Sequence, residues 1–144
     1  VSAGPVQVIF SRSRSVQSAL LRGFLWSTWS HCAIVEGDNV IEADFSAGVR
    51  VRPLADFIAD ASATALVEIP AGSHEAVIAF ARAQLGKPYD WRACIGFLVR
   101  RDWHDARRWF CSELIAGAFA AAGTPLFRLD AARITPRDLF IRSY

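Results

Sequence analysis

The chain of 144 residues contains no methionine, only one lysine (Lys87) and three cysteines. Without a methionine the sequence starts after a removed residue or is a fragment, so an upstream leader stays open. The cysteines, Cys32, Cys94 and Cys111, are an odd set with no Cys-x-x-Cys pair. That excludes a disulfide framework and leaves a free thiol to explain. Long apolar runs are also missing. The longest, Leu114 to Ala122, is interrupted by Gly117 and falls short of the ~20 residues a membrane helix needs, so no transmembrane segment is expected. Val-Ser-Ala-Gly-Pro at the start is no signal peptide, which favours a cytoplasmic location without deciding it. Neither sign of charge dominates: the net charge is +2, too mild to point to nucleic acid. What is present is apolar substance. Hydrophobic residues make up 53% of the chain, and a chain this long buries roughly two thirds of its unfolded surface. The expectation is one domain, residues 1–144, with a real core.

Punctuation and periodicity divide the chain. Val6–Phe10 reads as a short strand. Arg14–Trp26 has apolar residues at helical spacing. Trp29–Val35 and Val40–Phe45, separated by Gly37-Asp38-Asn39, read as a β-hairpin. Val49–Val51 is a further strand, Pro53 opens a helix to about Ala61, and Ala65–Ile69 is another strand. Ser73 caps a helix that Gly86 ends. Trp91–Arg100 reads as helical. Cys111–Ala122 is a helix of small and apolar residues stopped by Gly123-Thr124-Pro125, and Thr135–Asp138 caps a final turn. Strands and helices mix without βαβ alternation, so the fold class is α+β.

Two residues stand where a thiol chemistry needs them. Cys111 falls in the first turn of its helix, where the dipole and unpaired N–H groups favour a thiolate. The same N–H groups suit an oxyanion. A small buried hydrophobe is the alternative, and position alone favours it. A catalytic thiol also needs an imidazole, and His31 opens the first hairpin strand. With Val35 opposite Val40, residues His31, Ala33, Val35, Val40, Glu42 and Asp44 share one face. Glu42 then lies diagonal to His31, and Asp44 lies across from it. Either carboxylate could orient the imidazole. Cys32, Ile34, Ile41, Ala43 and Phe45 take the other face and read as core, as does Cys94. His74 stands beside a helix cap, and His104 in a charged segment. No His or Cys pair has a metal-ligand spacing, so neither a metal nor a cofactor is expected. Arg100-Arg101 and Arg107-Arg108 flank Trp103 and Trp109 and read as a solvated face whose stems cover tryptophan.

These residues resemble a family. His31-Cys-Ala-Ile-Val-Glu-Gly-Asp-Asn-Val-Ile-Glu42-Ala is similar to the histidine strand of NlpC-type cysteine peptidases. Gly86-Lys87-Pro88-Tyr89-Asp90-Trp91 resembles that superfamily's Gly-x-Pro-Tyr segment. Phe110-Cys111-Ser112-Glu113-Leu114-Ile115 resembles the nucleophile motif of the YiiX/YaeF/YebB-like branch. The histidine precedes the cysteine, the order of the circularly permuted, papain-like branch that includes the lecithin:retinol acyltransferase relatives. Those relatives carry Asn-Cys-Glu where this chain has Phe-Cys-Ser-Glu, which favours the YiiX-like branch. The resemblance implies a small antiparallel sheet with the nucleophile helix packed against it. It also implies Cys111 as nucleophile, His31 as general base and acid, Glu42 as the group orienting His31, and Tyr89 as a hydroxyl near the nucleophile.

The expected activity is hydrolysis of an amide bond through a Cys111 thioester. The substrate would be a peptide, a small acyl-amide or a cell-wall fragment. The alternatives are acyl transfer or ester and thioester hydrolysis on lipids by the same two residues, with Trp26, Trp29, Trp91, Trp103 and Trp109 lining an acyl groove, and a non-catalytic binding module.

Overall fold

The computed structural model describes residues 3–12, 29–44, 46–88 and 111–126. Among these residues five strands form one antiparallel sheet: β1 (Gly4–Arg12), β2 (His31–Glu36), β3 (Asn39–Asp44), β4 (Gly48–Pro53) and β5 (Ala63–Ala71), in the order β4-β3-β2-β1-β5. Among the described residues three helices accompany them: α1 (Leu54–Ala59), α2 (His74–Ala83) and α3 (Cys111–Ala121). The expected helices at 14–26 and 91–100 and the final turn at 135–138 lie outside the described residues, as do Phe45, Tyr89, Cys94 and His104.

The hairpin follows from its turn. Glu36 pairs with Asn39, so the connection is Gly37-Asp38, and Asn39 already belongs to β3. Gly37 takes φ 60°, the left-handed conformation that two-residue hairpin loops require. Val35 faces Val40, and the two-residue period of the strands does the rest. Cys32, Ile34, Ile41 and Ala43 enter the main core together with Val6, Val8 and Phe10 of β1. Ala33, Val35 and Val40 enter a smaller cluster on the opposite face with Ile9 and Phe57.

Helices cover both faces. Val77, Ile78 and Ala81 of α2 and Leu114, Ile115, Ala118 and Phe119 of α3 complete the main core, while α1 brings Phe57 to the other side. Ser73 caps α2 by accepting the Ala76 N–H at 3.1 Å. Pro53 does not lie inside α1 as expected but ends β4 and precedes the helix as its N-cap. Its locked φ of −58° carries an extended ψ of 136°, so the ring closes a strand here as well as starting a helix. The helix ends at Ala59, two residues earlier than its pattern suggests.

A further attachment follows α2. Gly86 N–H donates to Val49 O at 2.9 Å, and Val49 N–H donates to Lys87 O at 2.8 Å. These two bonds lay segment 86–87 along the outer edge of β4. Gly48 makes the approach possible: its φ is +73°, and a Cβ there would stand 2.3 Å from Lys87 O.

Candidate active site

The site grows out of the hairpin. His31 is the first residue of β2 and Glu42 belongs to β3. Extending the Val35–Val40 register sets them diagonally on one face. His31 Nε2–H donates to Glu42 Oε2 at 2.7 Å. Glu42 is 1% exposed, and a bare carboxylate buried that deeply would protonate. Burial does push its pKa up, but the hydrogen bond and charge of His31, with Arg50 and Arg52 beside it, bring it below the ordinary carboxylate value. Glu42 is therefore an anion.

Asp44, which shares the face, is not the partner of His31. Its Oδ2 accepts the Ser46 N–H at 3.1 Å, the Ser46 hydroxyl at 2.8 Å and the Ala47 N–H at 2.9 Å. It closes the turn between β3 and β4.

Cys111 reaches the site from the other side of the sheet. It is the first residue of α3 and is buried in the main core. It hydrogen-bonds both His31 and Cys32. Since Nε2 of His31 is taken by Glu42, Nδ1 is left to face the sulfur. Cys32 was expected as plain core, and it is buried on the core face, but its thiol and its backbone N–H both bond Cys111. The Cys32 bond is the largest influence favouring a Cys111 thiolate. Burial opposes it, and the hydrogen bond and charge of His31 add to it, so that the Cys111 pKa falls to about 5. The proton sits on the partners. Burial, then Cys111, pushes the Cys32 thiol well above its ordinary value. Burial pulls His31 down, but hydrogen bonds to Cys111 and Glu42 outweigh it and push His31 up to about 10. At neutral pH the pair is a thiolate and an imidazolium.

The imidazole is held on its flat side too. Phe57 of α1 stacks on His31 with ring centroids 5.7 Å apart, and the Arg52 guanidinium lies 5.5 Å from the centre of the same Phe57 ring. Neither Phe57 nor the arginines of β4 entered the reading of the sequence. The signal was present: Val49-Arg50-Val51-Arg52 alternates, which sets two arginines on one face of a strand.

Among the described residues, no group of three or more His, Cys, Asp and Glu side chains is placed to hold a metal ion. Tyr89 lies outside the described residues; Lys87 and Pro88, which lead to it, run beside Gly48.

A model of the family described as permuted papain-like amidase enzymes, YaeF/YiiX, C92 family, matches residues 4–135. The chain belongs to this family. Among curated proteins it is 28% identical to the probable lipoprotein peptidase YaeF of Escherichia coli K12 over 94% of its own length, and it spans 62% of the length of that relative. Among solved structures it resembles the metalloprotein YiiX of Escherichia coli O157:H7, with a TM-score of 0.65 and 26% identity over 85% of this chain and 68% of that one. The permuted papain-like, α+β architecture expected from the sequence is thus that of the family, and the antiparallel sheet with α3 against it is its form here. The word metalloprotein belongs to YiiX; the described residues of this chain supply no matching set of ligands.

Proposed function

We propose that the chain is a cysteine amidase or peptidase in which Cys111 is the nucleophile, His31 the general base and acid, and Glu42 the residue that orients His31. The observation that carries this reading is the position of His31, bonded on one side to the Cys111 sulfur and on the other to a buried, ionised Glu42. A thiolate already formed needs no base to attack. The sulfur adds to the amide carbonyl carbon, and the oxyanion meets the N–H groups at the start of α3. The C–N bond then breaks as the His31 imidazolium gives its proton to the leaving amine, and a Cys111 thioester remains. Neutral His31 next takes a proton from water as its oxygen attacks the thioester. The C–S bond breaks, the carboxylic acid leaves and the thiolate–imidazolium pair returns.

The name of the E. coli relative, lipoprotein peptidase, makes peptide amides the first substrates to try, followed by N-acyl compounds and peptidoglycan peptides. Tyr89 is proposed, by its motif, to add a hydroxyl to the oxyanion site. Losing one oxyanion donor costs about 100- to 1000-fold in turnover, and with the N–H groups of α3 still present Tyr89→Phe is expected to lose less, about 10- to 100-fold, which its kinetics would measure. The decisive experiment incubates the protein with a panel of peptide, acyl-amide, ester and peptidoglycan fragments, quenches in acid and examines Cys111 by mass spectrometry. An acyl group on Cys111, absent from Cys111→Ala, is expected with an amide. Acylation by esters alone would replace amide hydrolysis with ester chemistry, and no acylation by any of them would point to a binding module.

A further inference from the structure

Behind His31 lies an ion network that the triad itself does not require. Glu42 divides its two oxygens: Oε2 accepts His31 Nε2–H at 2.7 Å and Oε1 accepts Arg50 Nε–H at 3.0 Å. Arg50 Nη2 stands 3.3 Å from Asp44. Arg52 Nη1 is 3.5 Å from Glu42 Oε1, and its Nη2 donates to Asp60 at 2.8 Å. The chain Asp44–Arg50–Glu42–Arg52–Asp60 alternates in sign, and its surplus negative charge is matched by the His31 imidazolium. Backbone pairing builds it. Glu42 and Arg50 are direct partners across β3 and β4, and His31 sits diagonal to Glu42 on β2, so imidazole, carboxylate and guanidinium cross three strands in a row. The short bond of Arg50 falls on the one carboxylate oxygen that His31 leaves vacant.

We propose that Arg50 is a positioning residue, which acts on His31 by holding the Glu42 carboxylate in place and ionised. The inference rests on the triad reading above. A carboxylate tied by only one oxygen can turn about its last torsion. One tied by both cannot turn without losing a bond, so the ring it holds keeps one orientation. Arg52 is less suited to the task, since its contact with Glu42 is longer, 3.5 Å against 3.0 Å. Among the described residues, the charged and titratable groups around the unit are Cys32 and Cys111 on the core side, Asp44 beside it on β3, and Asp56 and Asp60 next to the two arginines.

The thiolate reports on this without any substrate. The test alkylates the whole protein with iodoacetamide from pH 4 to pH 8 and follows Cys111 by peptide mass. It compares wild type with Arg50→Gln, Arg50→Lys, Glu42→Gln and the Glu42→Gln/Arg50→Gln double variant. For wild type the midpoint is expected near pH 5. Arg50→Gln should raise it by one unit or more, about a tenfold loss of thiolate on the acid side. Arg50→Lys, which keeps the cation, should recover most of the shift. The double variant should shift no further than Glu42→Gln alone, because a residue that acts through another adds nothing once the other is gone. An unmoved midpoint in Arg50→Gln overturns the inference, and if only the melting temperature falls, Arg50 serves strand packing. A downward shift overturns it as well, since the guanidinium would then act on His31 by direct repulsion. So does an additive double variant. A silent Arg50→Gln beside a shifted Glu42→Gln leaves the triad reading intact, whereas a silent Glu42→Gln removes the triad reading and this inference with it.

Discussion

Cys111 and Cys32 are two buried thiols in contact, and their environments drive them apart. Cys111 sits at a helix start with His31, Cys32 and the Cys32 N–H around its sulfur and is held down to about 5, while Cys32 is driven upward. At pH 6 iodoacetamide should therefore modify Cys111 at least about tenfold faster than Cys32, since the thiolate is the nucleophile. Peptide mapping of a time course measures this, and equal rates would return Cys111 to a packing role. Glu42 and Asp44 offer a second contrast at the same scale. Glu42→Gln should lower turnover by on the order of 10²–10⁴. It also leaves Arg50 and Arg52 facing a neutral amide, so a loss of up to about 3–5 kcal/mol in stability is expected. Asp44→Asn keeps an acceptor for the turn and leaves the Glu42–His31 bond in place, so its loss of turnover should be much the smaller of the two. Kinetics and melting curves on both variants decide the ranking, and the reverse order would mean that Asp44 serves His31.

The elements place these residues through a few backbone devices. Gly48 is the sharpest of them, because it joins β4 to the segment that follows α2. Its positive φ costs an L-residue about 1–2 kcal/mol, and a Cβ there would also strike Lys87 O. Gly37 has a similar φ, but a Cβ on it meets nothing within 4 Å. Gly48→Ala should therefore destabilise the protein clearly more than Gly37→Ala. Chemical denaturation of the two variants side by side tests this; equal losses would mean that segment 86–87 yields freely. Leu114 shows the packing side of α3, the helix that carries Cys111. It is 1% exposed in the main core, and Leu114→Ala should cost about 2–5 kcal/mol.

Over the whole molecule the thiolate–imidazolium pair ties stability to pH. His31, raised from 6.5 to about 10, contributes stability that is complete below pH 6.5 and lost as pH rises through 10. Cys111, lowered from 9.0 to about 5, contributes stability that is complete above pH 9.0 and lost as pH falls through 5. Between pH 6.5 and 9.0 the two slopes cancel, because folded and unfolded chains then hold the same number of protons on this pair. The melting temperature should be flat across that window and fall on both sides, from 6.5 toward 5 and from 9.0 toward 10. The acid-side loss begins above the range in which ordinary carboxylates titrate, and Cys111→Ala should abolish it. A melting series in which that slope persists in Cys111→Ala would trace it to other groups.

Taken by itself, the sequence determined what local rules can determine. Alternation and the Gly37 turn set the hairpin register, because a slip of one residue would exchange the side chains of β2 between the main core and the smaller cluster. The capping serine set the start of α2, and the placement of a cysteine at the head of an apolar helix marked Cys111. The family was legible in three motifs and their order. The tertiary structure decided what depends on elements far apart in the chain. Glu42 and Asp44 share a face and a charge, so no local pattern separates them. The turn N–H groups of Ser46 and Ala47 take up Asp44, and Arg50 across the strand pair holds Glu42. Cys32 looked like core because strand neighbours point to opposite faces, and it does face the core. Its contact with Cys111 arises because α3 lays its first turn over that face, a packing event with no trace in the residues around position 32. The arginines of β4 and Phe57 of α1 came into view only with the sheet assembled, since burying a charged acid requires partners that sheet pairing alone brings within reach.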